Sequence, residues 1–192
     1  QDLIKTIAKI TDGEAILCSD VGQHQMWAAQ YYDFPAPRRW INSGGLGTMG
    51  FGLPAAIGAQ LGDPERLTVV ITGDGSIQMN IQELATVRQE GLPLKIVVMN
   101  NGYLGMVRQW QELFWDERYK SVEMGPSPNW PKLAEAFGWT GMQCTDKSQL
   151  RESMQTALET DGPLLLDVHV TKDENCFPMI PAGAAAIDMV EY

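Results

Sequence analysis

Two oxygen-bearing side chains, Asp74 and Asn101, are the strongest candidates for chemistry in this chain. Asp74 lies in the run Gly-Asp-Gly-Ser, and Asn101 is the second residue of an Asn-Asn pair. Each follows an apolar, mostly β-branched run, at residues 67–72 and 94–99, which is typical of a strand buried on both faces of a parallel sheet. Ligands bind beyond the carboxyl ends of such strands. The two side chains should therefore meet at one edge, where their oxygens suit a hard cation such as Mg²⁺.

The glycines around Asp74 favour a phosphate group beside this cation. Gly73 and Gly75 allow close backbone approach, and a following helix would point its free N–H groups and dipole at an anion. The alternative is an ordinary strand-to-helix turn with Asp74 as the helix cap, and the tetrapeptide alone favours neither interpretation. A dinucleotide site is disfavoured because no G-x-G-x-x-G opens a helix after a first strand, and the Gly-Lys-Ser/Thr of a Walker A loop is absent.

A second segment, Val21-Gly22-Gln23-His24, follows the first predicted strand at residues 15–21. Gly22 permits close backbone approach, while Gln23 and His24 would add side-chain donors at the same sheet edge. Phosphate contact by His24 and a purely structural role are equally favoured.

A glycine-rich stretch at residues 42–52 contains too many glycines for a packed element and is predicted to be a loop against which a cofactor can press. Met49 is a large, flexible apolar side chain among these glycines and fits a hydrophobic support under a ring. Without the other motifs, Met49 as simple core filling would be the better interpretation.

Strand and helix patterns alternate along the chain, which predicts an α/β fold with an open, mostly parallel sheet and helices on both faces. The further predicted strands lie at 39–42, 142–144 and 164–170. The predicted helices lie at 25–32, 50–61, 77–90, 104–114, 130–137 and 148–159. Within helix 77–90, an apolar face is expected at Ile81, Leu84, Ala85 and Val87. Residues 121–131 read as an irregular loop, and the tail from residue 172 shows no strong periodicity.

Composition excludes several classes of function. The chain has 192 residues, 44% hydrophobic and 20% charged, as expected of one globular domain. The net charge of −10 argues against nucleic-acid partners, and no apolar run approaches the roughly 20 residues needed to span a membrane. Cys18, Cys144 and Cys176 form no metal-ligand spacing, which favours reduced thiols and a cytoplasmic location. The start at Gln1 without a methionine suggests a fragment or a processed chain.

The motifs together resemble the catalytic subunit of the acetolactate (acetohydroxyacid) synthase family. The resemblance rests on Gly-Asp-Gly-Ser, Met-Asn-x-Gln-Glu-Leu-Ala-Thr, Asn-Asn-x-x-Leu-Gly-Met-Val-x-Gln-Trp and Val-Gly-Gln-His-Gln-Met-Trp, and covers essentially the whole chain. It implies the thiamine-diphosphate-binding fold for residues 1–192, as the C-terminal domain of a three-domain enzyme. Because an N-terminal pyrimidine-binding domain and a middle FAD-binding domain have no counterpart here, FAD is expected only in the full-length enzyme.

The resemblance also implies roles for individual residues. Asp74, Asn101 and the backbone carbonyl of Tyr103 would ligate Mg²⁺, and Met49 would lie beneath a bent thiamine diphosphate. Trp110 and Met106, with Met49, would shape the catalytic pocket, Trp110 on the side of the second keto acid. The implied cofactor-binding set is Val21, Gly22, Gln23, His24, Gly47, Met49, Gly73, Asp74, Gly75, Ser76, Asn101, Tyr103, Leu104, Gly105, Met106 and Val107. Among these, Gly22, Gln23, His24, Gly75 and Ser76 would hold the diphosphate.

By the same resemblance, the full-length enzyme would decarboxylate pyruvate and join the two-carbon unit to a second pyruvate or to 2-oxobutyrate, in branched-chain amino acid biosynthesis. The implied assembly is a homodimer or homotetramer, with a regulatory small subunit as a further partner. Ala182 lies where some members of the family carry a serine lining the herbicide channel.

The glutamate that activates the cofactor in this family belongs to the N-terminal domain of the neighbouring subunit. The chain alone is therefore expected to fold and dimerise without synthase activity. Two alternatives remain from the sequence. One is a related enzyme such as glyoxylate carboligase or pyruvate oxidase, which Trp110 argues against, and the other is a non-catalytic cofactor-binding or assembly module.

Overall fold

The computed structural model describes residues 1–191 as a six-stranded, all-parallel sheet with helices on both faces. The α/β fold and parallel sheet predicted from the strand–helix alternation are confirmed. The strands are β1 (Ile16–Ser19), β2 (Trp40–Asn42), β3 (Thr68–Gly73), β4 (Lys95–Asn100), β5 (Thr140–Cys144) and β6 (Leu164–His169). The α-helices are α1 (Asp2–Thr11), α2 (Gln23–Tyr31), α3 (Gly52–Gly62), α4 (Leu84–Gln89), α5 (Gly105–Phe114), α6 (Trp130–Ala136) and α7 (Leu150–Glu159).

The spatial order of the strands, β2-β1-β3-β4-β6-β5, creates the feature that positions the site. From β1 the chain passes to one neighbour, β2, and then crosses to the other neighbour, β3, before continuing outward to β4. The connections after β1 and β3 therefore leave in opposite directions. Such a switch point opens a crevice at the carboxyl ends of the two strands, where ligands of this architecture bind.

Two apolar cores lie on opposite faces of the sheet. Along β3, Val69 and Ile71 face one core while Val70 faces the other, as the alternation of side chains in a strand requires. Helices α1, α2 and α7 cover the first face, and α3, α4 and α6 cover the second. Burial on both faces explains why β3 and β4 are almost continuously apolar.

Three predicted elements need correction. The single helix expected at residues 77–90 is two short 3₁₀ turns, Ile77–Met79 and Ile81–Glu83, followed by α4. Asn80 interrupts the helix because its backbone leaves the helical region, at φ −136°, while its side chain binds the carbonyl of Gly50. The α-helical turn then begins at Leu84, so Leu84 and Val87 are buried but Ala85, expected on the apolar face, is exposed.

The predicted helix 50–61 begins at Gly52 and is buried on one face only, with Leu61 53% exposed. The helix expected at 148–159 starts with a 3₁₀ turn, because Asp146 caps the backbone of Ser148 at 2.8 Å. Helix α1 was not predicted at all. It packs Leu3, Ile4 and Ile7 on the sheet.

Candidate active site

A cavity of about 200 Å³ opens at the carboxyl ends of β1 and β3, where the strand order predicts a ligand crevice. Every residue of the cofactor-binding set named from the sequence lines it, so the structure brings the separate motifs to one place. Three further lining residues, Trp27, Met99 and Val170, were missed. The rest of the lining consists of Val21, Gly22, Gln23, His24, Gly47, Met49, Gly73, Asp74, Gly75, Ser76, Asn101, Tyr103, Leu104, Gly105, Met106 and Val107.

The Asp74 and Asn101 motifs meet because β3 and β4 are adjacent, with Gly73 paired to Met99. Burial raises the pKa of Asp74 to about 6. Hydrogen bonds from the backbone of Gly102 and Asn101 act in the opposite direction and limit this rise. Asp74 is 1% exposed, and its Oδ2 has no hydrogen-bond partner among the described residues. A buried carboxylate oxygen without a donor is costly, and a bound cation would satisfy it.

The segment after β4 is held in a shape that suits a backbone ligand. Asn101 Oδ1 accepts from the backbone N–H of Tyr103 at 3.0 Å. Residues 102–104 pair with 122–124 through Leu104 N to Val122 O at 2.8 Å and Met124 N to Gly102 O at 2.9 Å. Within residues 1–191, no three His, Cys, Asp or Glu side chains cluster as a metal site. The predicted ligand set instead has one carboxylate, one amide and one carbonyl, which fits Mg²⁺ when phosphate oxygens and water complete the shell.

His24 supplies a neutral imidazole to the cavity. The side chain is 6% exposed, and burial lowers its pKa to about 3. Its Nε2 has no partner within the described part of the chain. The ring lies against Gly22, where a Cβ would come within 2.6 Å of Cε1, and it also crowds Gly73. These glycines make room for the imidazole, which fits a hydrogen bond from a neutral ring N–H to a phosphate oxygen.

Ser76 joins the two turns of the crevice, because its hydroxyl donates to the carbonyl of Val21 at 2.9 Å. Gln23 departs from the expectation that it offers donors to a diphosphate. Its Nε2 already donates to Gln109 Oε1 at 2.8 Å and to the carbonyl of Glu174 at 3.1 Å. With both amide hydrogens committed, the atom that Gln23 leaves free for the cavity is its oxygen.

The loop that carries Met49 is anchored by Asp20, a residue that the sequence reasoning missed. Asp20 Oδ1 accepts from the backbone N–H of Gly50 at 2.7 Å, and Asn80 Nδ2 donates to the carbonyl of Gly50 at 2.7 Å. Burial raises the pKa of Asp20, with hydrogen bonds from Val21 and Gly50 opposing the rise. The signal available in the sequence was position, since Asp20 directly follows β1. The half-buried Met49 is thereby held at the cavity wall.

Trp110 lies outside this cavity, in an adjoining depression of about 840 Å³. Met106 and Val107 line both spaces, so the first turn of α5 forms the boundary between them. Trp110 is 40% exposed and packs edge-on against Phe114, with ring centroids 5.5 Å apart. The arrangement offers an apolar site next to the main cavity, lined by aromatic side chains.

No helix among residues 1–191 has the length and apolar character required to cross a membrane. Residues 20–168 match the family described as the thiamine pyrophosphate enzyme, C-terminal TPP binding domain. This match begins directly after β1, contains β2 to β5 and all but the last residue of β6, and includes the motifs of the crevice.

Curated relatives extend the similarity to almost the entire chain. It is 52% identical over 178 residues to the acetolactate synthase large subunit of Parasynechococcus marenigrum, covering 92% of this chain and 29% of the relative. Identity is 48% to the chloroplastic acetolactate synthase of Arabidopsis thaliana, covering 99% of this chain and 29% of that protein. Identity is also 48% to the acetolactate synthase isozyme 2 large subunit of Escherichia coli, covering 98% of this chain and 34% of that protein. The chain thus spans about a third of the length of the curated relatives it matches.

Proposed function

The chain belongs to the thiamine pyrophosphate enzymes, as a C-terminal TPP-binding domain, and on this premise we propose that it serves an acetolactate synthase. In this proposal the crevice between β1 and β3 binds thiamine diphosphate with Mg²⁺. One observation supports it most: Asp74 Oδ2 and His24 Nε2, which have no hydrogen-bond partner among residues 1–191, belong to buried side chains that line one cavity at the switch point. The identity of 48–52% to acetolactate synthases directs the choice among enzymes of the family.

Different residues of the crevice would bind the metal ion and the diphosphate of the cofactor. Asp74, Asn101 and the carbonyl of Tyr103 would hold Mg²⁺. His24 and the turns at Gly22 and Gly75–Ser76 would hold the diphosphate, the imidazole donating one hydrogen bond and the backbone supplying others. This division accounts for the placement of a carboxylate and a neutral imidazole in the same buried space.

The bound cofactor would supply an electron sink that accepts the electron pair released on decarboxylation of a 2-keto acid. The chain's own residues orient and shield that chemistry. Met49, fixed through Gly50 to Asp20 and Asn80, would press against the cofactor ring and help to orient it. Leu104, Met106 and Val107 would keep water from the reacting carbon. Trp110 would bound the space for the second keto acid.

The proposed substrates are pyruvate and 2-oxobutyrate, and the proposed products are acetolactate and acetohydroxybutyrate. The partners proposed for the domain are the N-terminal and middle domains of a full-length subunit, the latter with FAD. A second copy of that subunit and a regulatory small subunit complete the proposed assembly. The similarity to proteins described as large subunits supports this assignment.

Product analysis of the full-length protein tests the proposal. With pyruvate, thiamine diphosphate and Mg²⁺, acetolactate and carbon dioxide are expected in equal amounts. Tartronate semialdehyde from glyoxylate would instead indicate a glyoxylate carboligase, and oxidation of pyruvate without acetolactate would indicate a pyruvate oxidase. Either product in place of acetolactate would contradict the proposed function.

A further inference from the structure

The amide of Gln23 is held in one orientation by hydrogen bonds that start at a backbone group. The backbone N–H of Cys176 donates to Gln109 Oε1 at 2.8 Å, and the carbonyl of Cys176 accepts from Gln109 Nε2 at 3.0 Å. A backbone N–H and C=O cannot exchange roles, so the pair fixes which end of the Gln109 amide is oxygen. Gln109 is fully buried, at 0% exposure.

The fixed oxygen of Gln109 then determines the orientation of Gln23. Because Gln109 Oε1 is an acceptor, the atom of Gln23 that lies 2.8 Å away must be the amide nitrogen. The carbonyl of Glu174, 3.1 Å from the same nitrogen, imposes the same choice. If the Gln23 amide were flipped, its oxygen would face two other acceptor oxygens, Gln109 Oε1 and the carbonyl oxygen of Glu174.

Gln23 lines the cavity, and its oxygen is therefore the amide atom that remains for a ligand bound there. It is buried and accepts no hydrogen bond from the described residues. A Cβ built on Gly105 would overlap Gln23 Oε1 and lie 2.9 Å from Asn101 Nδ2, so the Gln23 oxygen lies close to the Asn101 side chain. An acceptor at this position repels phosphate oxygens and attracts a hydrogen-bond donor.

We propose that Gln23 accepts a hydrogen bond from a water molecule on the bound Mg²⁺, and that Gln109 is the positioning residue that aims it there. This inference rests on the proposed function, because it requires the metal at Asp74 and Asn101. Mg²⁺ usually keeps several waters, whose hydrogens are strong donors. Outer-shell acceptors of this kind orient metal ligands and typically change metal affinity by about 10- to 100-fold.

Three variants of the full-length protein test the pair. Gln23→Met keeps the length of the side chain but removes the acceptor, and is expected to weaken Mg²⁺-dependent thiamine diphosphate binding by about 10- to 100-fold. Gln109→Met leaves Gln23 in place without its orienting partner, and is expected to weaken binding to a similar extent. The double variant should bind no more weakly than Gln23→Met, because Gln109 acts through Gln23. Binding is measured by titration of thiamine diphosphate at fixed Mg²⁺, followed by tryptophan fluorescence.

Conservative variants distinguish a loss of the hydrogen bonds that orient Gln23 from a general disturbance of packing. Gln23→Glu retains an oxygen acceptor beside the metal whether or not its carboxyl is ionised, and should bind no more than about threefold more weakly than the unmodified protein. Gln109→Glu, at a site where burial favours the protonated carboxyl, retains an oxygen acceptor and one O–H donor and should also bind within about threefold. Gln60→Met is the matched control: Gln60 is also buried, donates to three backbone carbonyls and has an unpartnered oxygen, but lies outside the cavity. It should lower the unfolding temperature without changing cofactor affinity.

A spectroscopic measurement tests the water molecule itself. With Mn²⁺ in place of Mg²⁺, oxygen-isotope relaxation reports the exchange of metal-bound water with solvent. Gln23→Met should speed this exchange because a hydrogen bond that retains the water is lost. Unchanged exchange would overturn the assignment of the donor.

The remaining outcomes are equally decisive. Loss of binding in Gln23→Glu as large as in Gln23→Met would show that Gln23 acts as a donor and would overturn the inference. Independent, additive losses in the double variant would overturn the positioning role of Gln109. Failure of the unmodified protein to bind thiamine diphosphate with Mg²⁺ would instead refute the proposed function, so the two failures are distinguishable.

Discussion

Unpartnered buried polar atoms are concentrated in the cavity at the end of β1 and β3. Of the seven such side-chain atoms in the described chain, four belong to cavity residues, namely Gln23 Oε1, His24 Nε2, Trp27 Nε1 and Asp74 Oδ2. Leaving a buried polar group without a partner costs about 1–3 kcal/mol, so folded proteins rarely keep several together. A polar ligand in the cavity would satisfy these groups, and the cofactor-free protein should be less stable than the loaded one.

Asp74 provides the most direct single-residue prediction. Asp74→Ala removes the only carboxylate that lines the cavity among the described residues, and Mg²⁺-dependent binding of thiamine diphosphate to the full-length protein should fall by at least about 100-fold. Calorimetric titration with and without Mg²⁺ measures the effect. Asp63→Ala, at a residue ion-paired with Arg66, is the control and should bind normally. Unchanged metal-dependent binding in Asp74→Ala would exclude Asp74 as a ligand.

His24 gives a pH dependence whose sign follows from its burial. Its pKa is lowered to about 3, whereas a histidine in an unfolded chain titrates near 6.5. Between these values the unfolded state binds the proton more strongly. The contribution of His24 to the free energy of unfolding is therefore fully present above pH 6.5 and falls as the pH drops, by up to about 1.4 kcal/mol per pH unit.

His24→Asn should remove this part of the slope in the cofactor-free protein. Denaturant unfolding of both proteins between pH 7.5 and 5.0 measures it, and the stability difference between them should change with pH. Burial of Asp74 and Asp20 acts with the opposite sign, but equally in both proteins. A difference in stability that is constant over this range would contradict a buried, neutral His24.

Single residues were predictable where the strand ends marked them. Asp74, Asn101, Gly22 and His24 follow apolar runs directly, and the structure places all of them at the cavity. The orientation of Gln23 was not predictable, because it depends on contacts with Gln109 and the tail. Those contacts join residues that are distant in the sequence.

At the scale of elements, the first turn of α5 is packed too closely for any side chain at Gly105. Gly105→Ala would place a Cβ against Gln23 and Asn101, and should weaken Mg²⁺-dependent thiamine diphosphate binding by about tenfold or more. Alanine favours the helix by about 1 kcal/mol over glycine, so stability should not fall as steeply as binding. Gly58→Ala in α3, where an added Cβ meets nothing within 4 Å, is the control and should leave binding unchanged. Normal binding by Gly105→Ala would contradict the packing described for this turn.

The outer face of α5 carries a separate prediction about the acceptor substrate. 2-Oxobutyrate has one more methylene than pyruvate, and contact with the Trp110 ring would favour it by about 0.8 kcal/mol. Trp110→Leu should therefore reduce the preference for 2-oxobutyrate about fourfold when the full-length protein is offered both keto acids. The ratio of acetohydroxybutyrate to acetolactate measures this preference. An unchanged ratio would remove Trp110 from the acceptor site.

Elements were predicted best where the pattern was strong and local. The apolar runs of β3 and β4 and the helix α5 were located within a residue or so of their observed bounds. The expected helix at 77–90 was wrong in its first half because Asn80 binds Gly50, a tertiary contact that overrides helical propensity. The short amphipathic helix α1 was overlooked, although its burial of Leu3, Ile4 and Ile7 follows a helical spacing.

For the whole molecule, the alternation of strands and helices was sufficient to predict a parallel α/β sheet. The order of its strands was not predictable, since β1 pairs with both β2 and β3 through contacts between distant residues. That order creates the crevice. The sequence therefore predicted which residues line the site, but not the arrangement of strands that brings them together.

The isolated 192-residue chain should not catalyse acetolactate formation. Among the described residues, Asp74 is the only acidic residue lining the cavity, and it is assigned to the metal. A second carboxylate for proton transfer to the cofactor would have to come from elsewhere in the assembly. Purified chain and full-length protein are compared with pyruvate, thiamine diphosphate and Mg²⁺, and only the latter should form product. Robust acetolactate formation by the isolated chain would contradict this division of labour.

If the crevice between β1 and β3 holds the cofactor, a crystal structure of the full-length protein with thiamine diphosphate and Mg²⁺ should show both bound there. We expect the metal on Asp74 Oδ, Asn101 Oδ1 and the carbonyl of Tyr103, the diphosphate beside His24 and Gly75–Ser76, and Met49 against the cofactor ring. Cofactor density away from this crevice, or a metal that does not contact Asp74, would contradict the account.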